Sequence, residues 1–266
     1  MKKVIFQFSV LVILFFSAWL LLSNINFVKH IYIEKFGKIN EKRIGDLMIE
    51  NIRRNNTEII SDATKVDLEA IKRRICDSNH INASEIELYL FKDDAINAFT
   101  LPGKKMIICT GLIKACDSAS ELSGVMAHEI GHMQHGHIMR RLVKEMGISI
   151  VLSIGGNGNG EMLRRMVKLL SSTAFDRKQE SEADAAAVEY LNKAHIDPAG
   201  LANLFTRLAN EKNDMPKQLE WISTHPNSKE RAETILKLKQ AGTTYYSSMP
   251  NIDWKRLKAT AGDKSL

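Results

Sequence analysis

Residues 121–133 read ELSGVMAHEIGHM and contain the pattern HExxH at His128-Glu129-Ile130-Gly131-His132. Residues four apart lie one turn above each other on a helix, so His128 and His132 would share a face and could bind one cation. Gly131 would weaken such a helix unless a neighbouring element needs the space that it leaves. The apolar positions of the stretch recur at a spacing that predicts an amphipathic helix: Leu122, Val125, Met126 and Met133.

Two histidines at this spacing are typical of a catalytic zinc site. They leave room for a third protein ligand and for a position open to water. Glu129 lies in the same turn without needing to bind the metal, and its natural role is the general base for a water molecule activated by zinc. The pattern therefore predicts the chemistry of peptide hydrolysis.

A third ligand is expected further along the chain, where residues 177–187 form an acidic stretch. Glu180 and Asp184 are four residues apart and would share a helix face, whereas Glu182 would point elsewhere. We expect Glu180 to bind zinc and Asp184 to accept the N–H of a ligand histidine, which would fix the tautomer of that ring.

Two other zinc-peptidase patterns do not fit the sequence. The metzincin pattern HExxHxxGxxH requires glycine and histidine where this chain has His135 and Ile138. A thermolysin-like spacing would place a glutamate near residues 151–154, which contain none. His135 and His137 are expected to be surface or structural histidines, because one helix cannot easily bring them to the same metal.

Upstream of the motif the pattern changes from helical to alternating. Glu85 to Phe91 and Lys105 to Cys109 read as two strands, and Pro102 and Gly103 mark a turn between them. We predict an α+β fold, mostly α, with a small sheet beside the active-site helix. An exposed edge strand at Asn97, Ala98 and Phe99 would let an extended peptide add as another strand.

Several ordered motifs resemble the gluzincin family that includes HtpX and the CAAX prenyl proteases. HEIGH is followed by Glu180-Ser-Glu-Ala-Asp184, and the likeness extends from about Ile39 to Lys239. Further matching segments are Asn97-Ala-Phe-Thr-Leu-Pro-Gly103, Thr110-Gly-Leu112 and Thr224-His-Pro226 with Arg231. Because the chain shows no internal membrane spans, it looks closer to the periplasmic BepA and LoiP type, without the helical repeats of BepA.

The resemblance implies one zinc ion per chain, held by His128, His132 and Glu180. It implies Glu129 as the base and Asp184 as the residue that orients a ligand. His225 would lie near the metal, either to stabilise the oxyanion or to occupy the fourth position as a latch. Arg231 is expected to hold the loop of His225 in place by hydrogen bonds to a carboxylate or carbonyl.

The N-terminal segment is apolar from Val4 to Ser23 and follows Lys2 and Lys3. About twenty such residues suit an uncleaved membrane anchor, with a cleaved export signal as the alternative. We expect a bacterial-type inner-membrane protein with a periplasmic catalytic domain, or a soluble periplasmic or secreted form. The predicted divisions are an anchor or signal at 1–25, a linker and helical region at 26–62, the peptidase domain at 63–240 and a loose polar tail at 241–266.

The leading hypothesis is a zinc endopeptidase for protein quality control. Its substrates would be extended or misfolded segments of exported or membrane proteins, because an edge strand recognises backbone more than side chains. A non-catalytic zinc protein, with His225 as a fourth ligand, is the second hypothesis. The net charge of +6 is spread over many segments, and no aromatic or arginine-rich cluster supports nucleic-acid binding. Cys76, Cys109 and Cys116 show no metal-ligand spacing and are expected in the core.

Overall fold

The computed structural model describes residues 2–24, 37–59, 62–147, 151, 160–211, 220–226, 228–246 and 252–262. The chain divides into two compact units, Met1–Glu41 and Lys42–Leu266. The strands are β1 Glu87–Phe91, β2 Ala98–Leu101 and β3 Lys105–Cys109. The helices are α1 Lys2–Asn24, α2 Gly37–Arg53, α3 Asp62–Asp77, α4 Thr110–Ala115, α5 Ala119–Gln134, α6 His137–Met146, α7 Gly160–Ser172, α8 Arg177–Lys193, α9 Ala199–Glu211, α10 Glu220–Thr224, α11 Ser228–Leu238 and α12 Trp254–Gly262.

Helix α1 covers the segment for which the sequence predicts a membrane anchor. Several of its apolar side chains are exposed, among them Phe6, Leu11 and Phe15. Within the part of the chain that the structure describes, however, no helix combines the length and the apolar character needed to cross a bilayer. The helix is confirmed, and the predicted transmembrane anchor is not supported.

The three strands form one mixed sheet in the order β1-β3-β2. β1 runs parallel to β3, and β2 runs antiparallel to it with Ala98 opposite Ile108. The far edge of β1 is covered, because Ile59 donates its backbone N–H to the carbonyl of Leu90 at 2.8 Å. The sequence predicted β1, β3 and an edge strand at Asn97, Ala98 and Phe99, and the structure places that strand, β2, at Ala98–Leu101. The predicted mostly helical α+β fold is confirmed.

Helix α5 lies at the centre of the fold. Ser118 caps the start of this helix, because its side chain accepts the N–H of Glu121. Every residue from Glu121 to Met133 is buried. A Cβ atom added at Gly131 would lie 3.0 Å from the carbonyl oxygen of Ala183 in α8. The missing side chain therefore lets α8 approach closely, which satisfies the expectation from the sequence and places the two helices side by side.

The expectation of a loose tail after residue 240 is wrong for its described part. Leu257 of α12 is buried, and Arg256 donates two 2.7 Å hydrogen bonds to Asp67 of α3. Lys258 Nζ donates to the carbonyl of Cys116. A few apolar and charged contacts thus dock a segment whose overall composition is polar. The three cysteines are buried, as expected, and the structure shows them free.

Candidate metal centre

The two histidines of the HExxH pattern lie together at the C-terminal end of α5. Their side chains are buried, and His128 Nε2 lies 3.0 Å from His132 Nε2. The four-residue spacing on one helix produces this convergence. Phe175 stacks against the His132 ring with the ring centroids 4.1 Å apart, and so fixes its plane.

Glu180 reaches the same point from α8. Asp176 caps this helix and forms a capping box with Gln179, which fixes where α8 begins and places Glu180 in its first turn. The Glu180 carboxylate lies 3.6 Å from the Nε2 atoms of both His128 and His132. His225 Nδ1 lies 2.8 Å from Glu180 Oε1 and 3.2 Å from His128 Nε2.

These four side chains fit a zinc ion by distance and donor type. Two ligands of a tetrahedral ion with bond lengths of about 2.0–2.1 Å are roughly 3.3 Å apart, and nitrogen and carboxylate oxygen are donors that zinc accepts. One ligating atom from each of His128, His132, Glu180 and His225 lies within 4.8 Å of the others. The contacts of 2.8–3.6 Å bracket the tetrahedral spacing.

The charges of the centre also match a dication. Three carboxylates are buried here, those of Glu129, Glu180 and Asp184. Among the described residues, Arg231 is the lysine or arginine that pairs with them, at 2.6 Å from both Glu180 and Asp184. A divalent ion bound by neutral imidazoles would balance the two negative charges that remain.

Asp184 links the ligand His128 to Arg231. Its Oδ1 lies 3.0 Å from His128 Nδ1, the ring nitrogen opposite the one that faces the centre. Arg231 donates to both carboxylate oxygens of Asp184, at 2.6 and 2.7 Å. This arrangement suits a residue that fixes the orientation of a ligand ring. Arg231 therefore pairs with the carboxylates of the centre, in line with the carboxylate hydrogen bonds expected from the sequence.

Glu129 has one anchored and one available carboxylate oxygen. Thr100 of β2 donates its hydroxyl to Oε2 at 2.9 Å. Oε1 makes no hydrogen bond within the described part of the protein and lies 3.5 Å from His225 Nε2. Burial acts to raise the pKa of Glu129, but His225 and the two other histidines outweigh it and hold the pKa below its ordinary value. Glu129 is thus charged, with Oε1 available to accept a proton.

His225 closes the centre from the segment after α10. Its ring faces two carboxylates, with Nδ1 toward Glu180 and Nε2 toward Glu129. Burial opposes protonation of this ring, yet the two carboxylates raise its pKa to about 9. Burial likewise opposes ionisation of Glu180, but His225 and Arg231 hold its pKa well below the usual range.

Behind His132 lies a chain of contacts that the sequence did not predict. His132 Nδ1 lies 2.8 Å from His137 Nδ1, and His137 Nε2 lies 3.0 Å from Glu182 Oε2. His137 is a structural histidine, one of the two roles that the sequence predicted, and it contacts the ligand His132 because α5 ends at Gln134 and His137 begins a new helix. Gly136, which follows the helix and favours a left-handed turn, is the signal that could have revealed it.

The proposed substrate edge is placed beside the centre but is covered. Cys109 donates its N–H to the carbonyl of Asn97, so by antiparallel alternation the backbone groups of Ala98 and Thr100 point away from β3. Ala98 is only 1% exposed and Thr100 2%, while Phe99 is half-buried. The Asn97 amide donates to the carbonyl of Ser171 in α7, which packs against β2.

Comparisons with known proteins agree with this geometry. The model for peptidase family M48 matches residues 62–239. Mitochondrial metalloendopeptidase OMA1 of Schizosaccharomyces pombe is 27% identical over 175 residues, 65% of this chain and 52% of that protein. Beta-barrel assembly-enhancing protease of Yersinia pestis is 24% identical over 199 residues, which cover 70% of this chain and 41% of that protein. Metalloprotease LoiP of Escherichia coli is 28% identical over 164 residues, with coverage of 59% and 64%. The chain spans about half the length of these curated relatives.

Proposed function

Because the chain belongs to peptidase family M48, we propose that it is a zinc-dependent endopeptidase acting on extended or misfolded segments of exported or membrane proteins. One observation carries the proposal. His128, His132 and Glu180 converge within 3.6 Å of one another while the buried carboxylate of Glu129 lies alongside. Three ligands and a separate base are the parts that a hydrolytic zinc site requires.

In the proposed mechanism Glu129 handles the proton. Its Oε1 accepts a proton from the attacking water and then delivers it to the leaving amine, while Thr100 holds Oε2. A bound zinc ion would supply Lewis-acid polarisation of the carbonyl and lower the pKa of water toward about 7. Asp184 keeps the Nε2 atom of His128 turned toward the centre.

His225 is proposed to act beside Glu129, whose Oε1 lies 3.5 Å from its Nε2 atom. As a charged imidazolium it would donate a hydrogen bond to the developing oxyanion, an interaction worth several kcal/mol. As a neutral ring it would place Nδ1 as a fourth ligand and close the centre. Its contacts with Glu129 and Glu180 support a place at the reacting atoms in either role.

The substrate is proposed to bind as a strand along the outer edge of β2. The backbone groups of Ala98 and Thr100 point toward that side, and Thr100 also contacts the base. Since both residues are buried, α7 would have to move away from β2 before a peptide could pair. An edge of this kind recognises any extended backbone, which suits unfolded substrates.

Binding of a peptide strand has an expected signature in hydrogen exchange. With a Glu129→Gln variant that binds without cleaving, a saturating extended peptide should slow exchange at the amides of Ala98 and Thr100, because both would become strand hydrogen bonds. The β3 amides, already paired, should change little. If the two β2 amides exchange at the same rate with and without peptide, strand addition at this edge is excluded.

The cellular location remains part of the proposal. Lys2 and Lys3 before an apolar helix favour export of the body of the chain, with the helix kept as an anchor or removed as a signal. Polypeptides are the proposed partners, and nucleic acid is not among them. N-terminal sequencing of the mature protein, together with its extraction by detergent or by salt, tests the anchor against the cleaved form.

Removal of the metal tests the function as a whole. Dialysis against a chelator should abolish cleavage of unfolded casein, and one equivalent of zinc should restore it, because the three ligands supply no hydrolytic chemistry without the ion. Circular dichroism should show that the metal-free chain stays folded. Cleavage that survives complete metal removal would contradict the proposal, while unfolding on removal would favour the structural-zinc alternative that His225 suggests as a fourth ligand.

A further inference from the structure

A second set of metal-ligating side chains lies at the junction of α5 and α6. His135 follows the last turn of α5, Gly136 adopts a left-handed conformation with φ 64° and ψ 28°, and His137 begins α6. The turn places the rings of His135 and His137 nearly parallel, with centroids 5.4 Å apart and planes inclined by 15°. Residues two apart on a continuous helix would point in different directions, so this pairing depends on the turn.

Glu182 of α8 contributes a carboxylate to the same cluster. Its Oε2 atom lies 3.0 Å from His137 Nε2, and one ligating atom from each of the three residues lies within 4.8 Å of the others. The 3.0 Å contact between His137 and Glu182 is close to the roughly 3.3–3.6 Å that separates two ligands of a tetrahedral zinc ion with bonds of about 2.0–2.2 Å. His135 is exposed and Glu182 is partly exposed, so a cation can reach the cluster from solvent.

We propose that His135, His137 and Glu182 form a second, weaker zinc site whose occupation opposes zinc binding at the catalytic centre. Two imidazoles and one carboxylate are the same donor types as at the first centre. The second site is weaker because an exposed histidine must be ordered to complete it. The coupling rests on the proposed function, whereas the second site itself consists of residues outside the first.

The coupling follows from the contact between His132 and His137. When His132 Nε2 faces the catalytic metal, the proton of His132 lies on Nδ1. That N–H donates a hydrogen bond to His137 Nδ1, which lies 2.8 Å away. Neutral His137 then carries its own proton on Nε2, the atom that the second cation needs. A cation on that atom leaves the proton of His137 on Nδ1, and two N–H groups would face each other. The two occupied states therefore disfavour each other.

Zinc titration of the full-length, metal-free chain by calorimetry tests the proposal directly. Wild type should bind two zinc ions with distinct affinities. His135→Ala and Glu182→Gln should lose the weaker ion and keep the stronger one, because neither changes a side chain of the first centre. The control His80→Asn removes an exposed histidine that follows α3 and should leave both ions bound.

The coupling is measured by the same titration. Because the coupling is reciprocal, occupation of the stronger site should lower the affinity of the weaker site on the order of tenfold, so the weaker site should bind zinc more tightly in a His128→Ala/Glu180→Gln variant, whose first centre is disabled, than in wild type. A wild-type chain that binds one zinc ion up to millimolar concentration, or a His135→Ala chain that still binds two, overturns the proposal. A wild-type chain that binds zinc at the second site but not at the first centre would contradict the proposed function and leave the second site standing.

Discussion

A Glu129→Gln variant should retain zinc and lose cleavage by a factor of about 10²–10⁴, the usual contribution of a general base. Glutamine has the shape of glutamate, so its amide oxygen can still accept the Thr100 hydroxyl that now holds Oε2 at 2.9 Å. It cannot accept a proton at the other position, where Oε1 of Glu129 is available. Casein cleavage at fixed zinc occupancy measures the loss.

Glu121 provides a matched control on the same helix. It is also a buried glutamate of α5, but it accepts the backbone N–H of Asp117 and pairs with Arg207, away from the centre. Glu121→Gln should therefore cleave casein at the wild-type rate if the chain remains folded. Equal cleavage by Glu129→Gln and wild type, with equal zinc content, would remove Glu129 from the role of base.

The sequence could predict the parts of this protein that depend on local geometry. The four-residue spacing of His128 and His132 requires only one helical turn, and the structure shows the turn. The helix that carries Glu180 was expected from an acidic stretch, and a capping box places its first turn. The family match confirms the prediction of a metalloprotease. The named relatives support the branch of BepA and LoiP, but they do not support a specific placement with HtpX or the prenyl proteases.

The parts that the sequence could not predict depend on where the chain turns. His137 reaches His132 because a left-handed glycine ends one helix and starts another, and helical periodicity carries no information about such a reversal. The bounds of β2, which extends beyond the predicted edge strand to Leu101, follow from pairing with β3, since four residues are too few to show a clear alternation. α12 docks through Leu257 and the Arg256–Asp67 pair, two contacts that the polar composition of the tail conceals.

The buried carboxylates of the centre need a compensating cation in the metal-free chain. Burying a carboxylate is costly unless a partner compensates it, and the centre buries three. The Arg231 guanidinium compensates two of these carboxylates, because it donates two hydrogen bonds to Asp184 and contacts Glu180. Its guanidinium also lies over the ring of Phe205, 4.3 Å from the centroid. The stability of the metal-free chain should therefore depend strongly on this one residue.

An Arg231→Met variant should lose about 3–5 kcal/mol of unfolding free energy in the metal-free chain, the usual cost of removing one partner from a buried ion pair. Methionine fills much of the space over Phe205, so the loss reports chiefly on Asp184, which no longer has its guanidinium, while Glu180 keeps its contact with His225. The melting temperature should fall by roughly 10 °C, and zinc affinity should also fall because Asp184 no longer holds His128. Chemical denaturation followed by circular dichroism gives the free energy.

The comparison that isolates burial is Lys193→Met. Lys193 and Glu189 form an ion pair on the exposed face of α8, with side chains 53% and 59% exposed, and pairs of this kind contribute only about 0.3–0.5 kcal/mol. Both variants remove one positive charge from an ion pair, so the difference between them measures what burial adds. A loss below about 1 kcal/mol for Arg231→Met would mean that the two carboxylates take up protons or water without cost, and that Arg231 is not what holds the metal-free centre together.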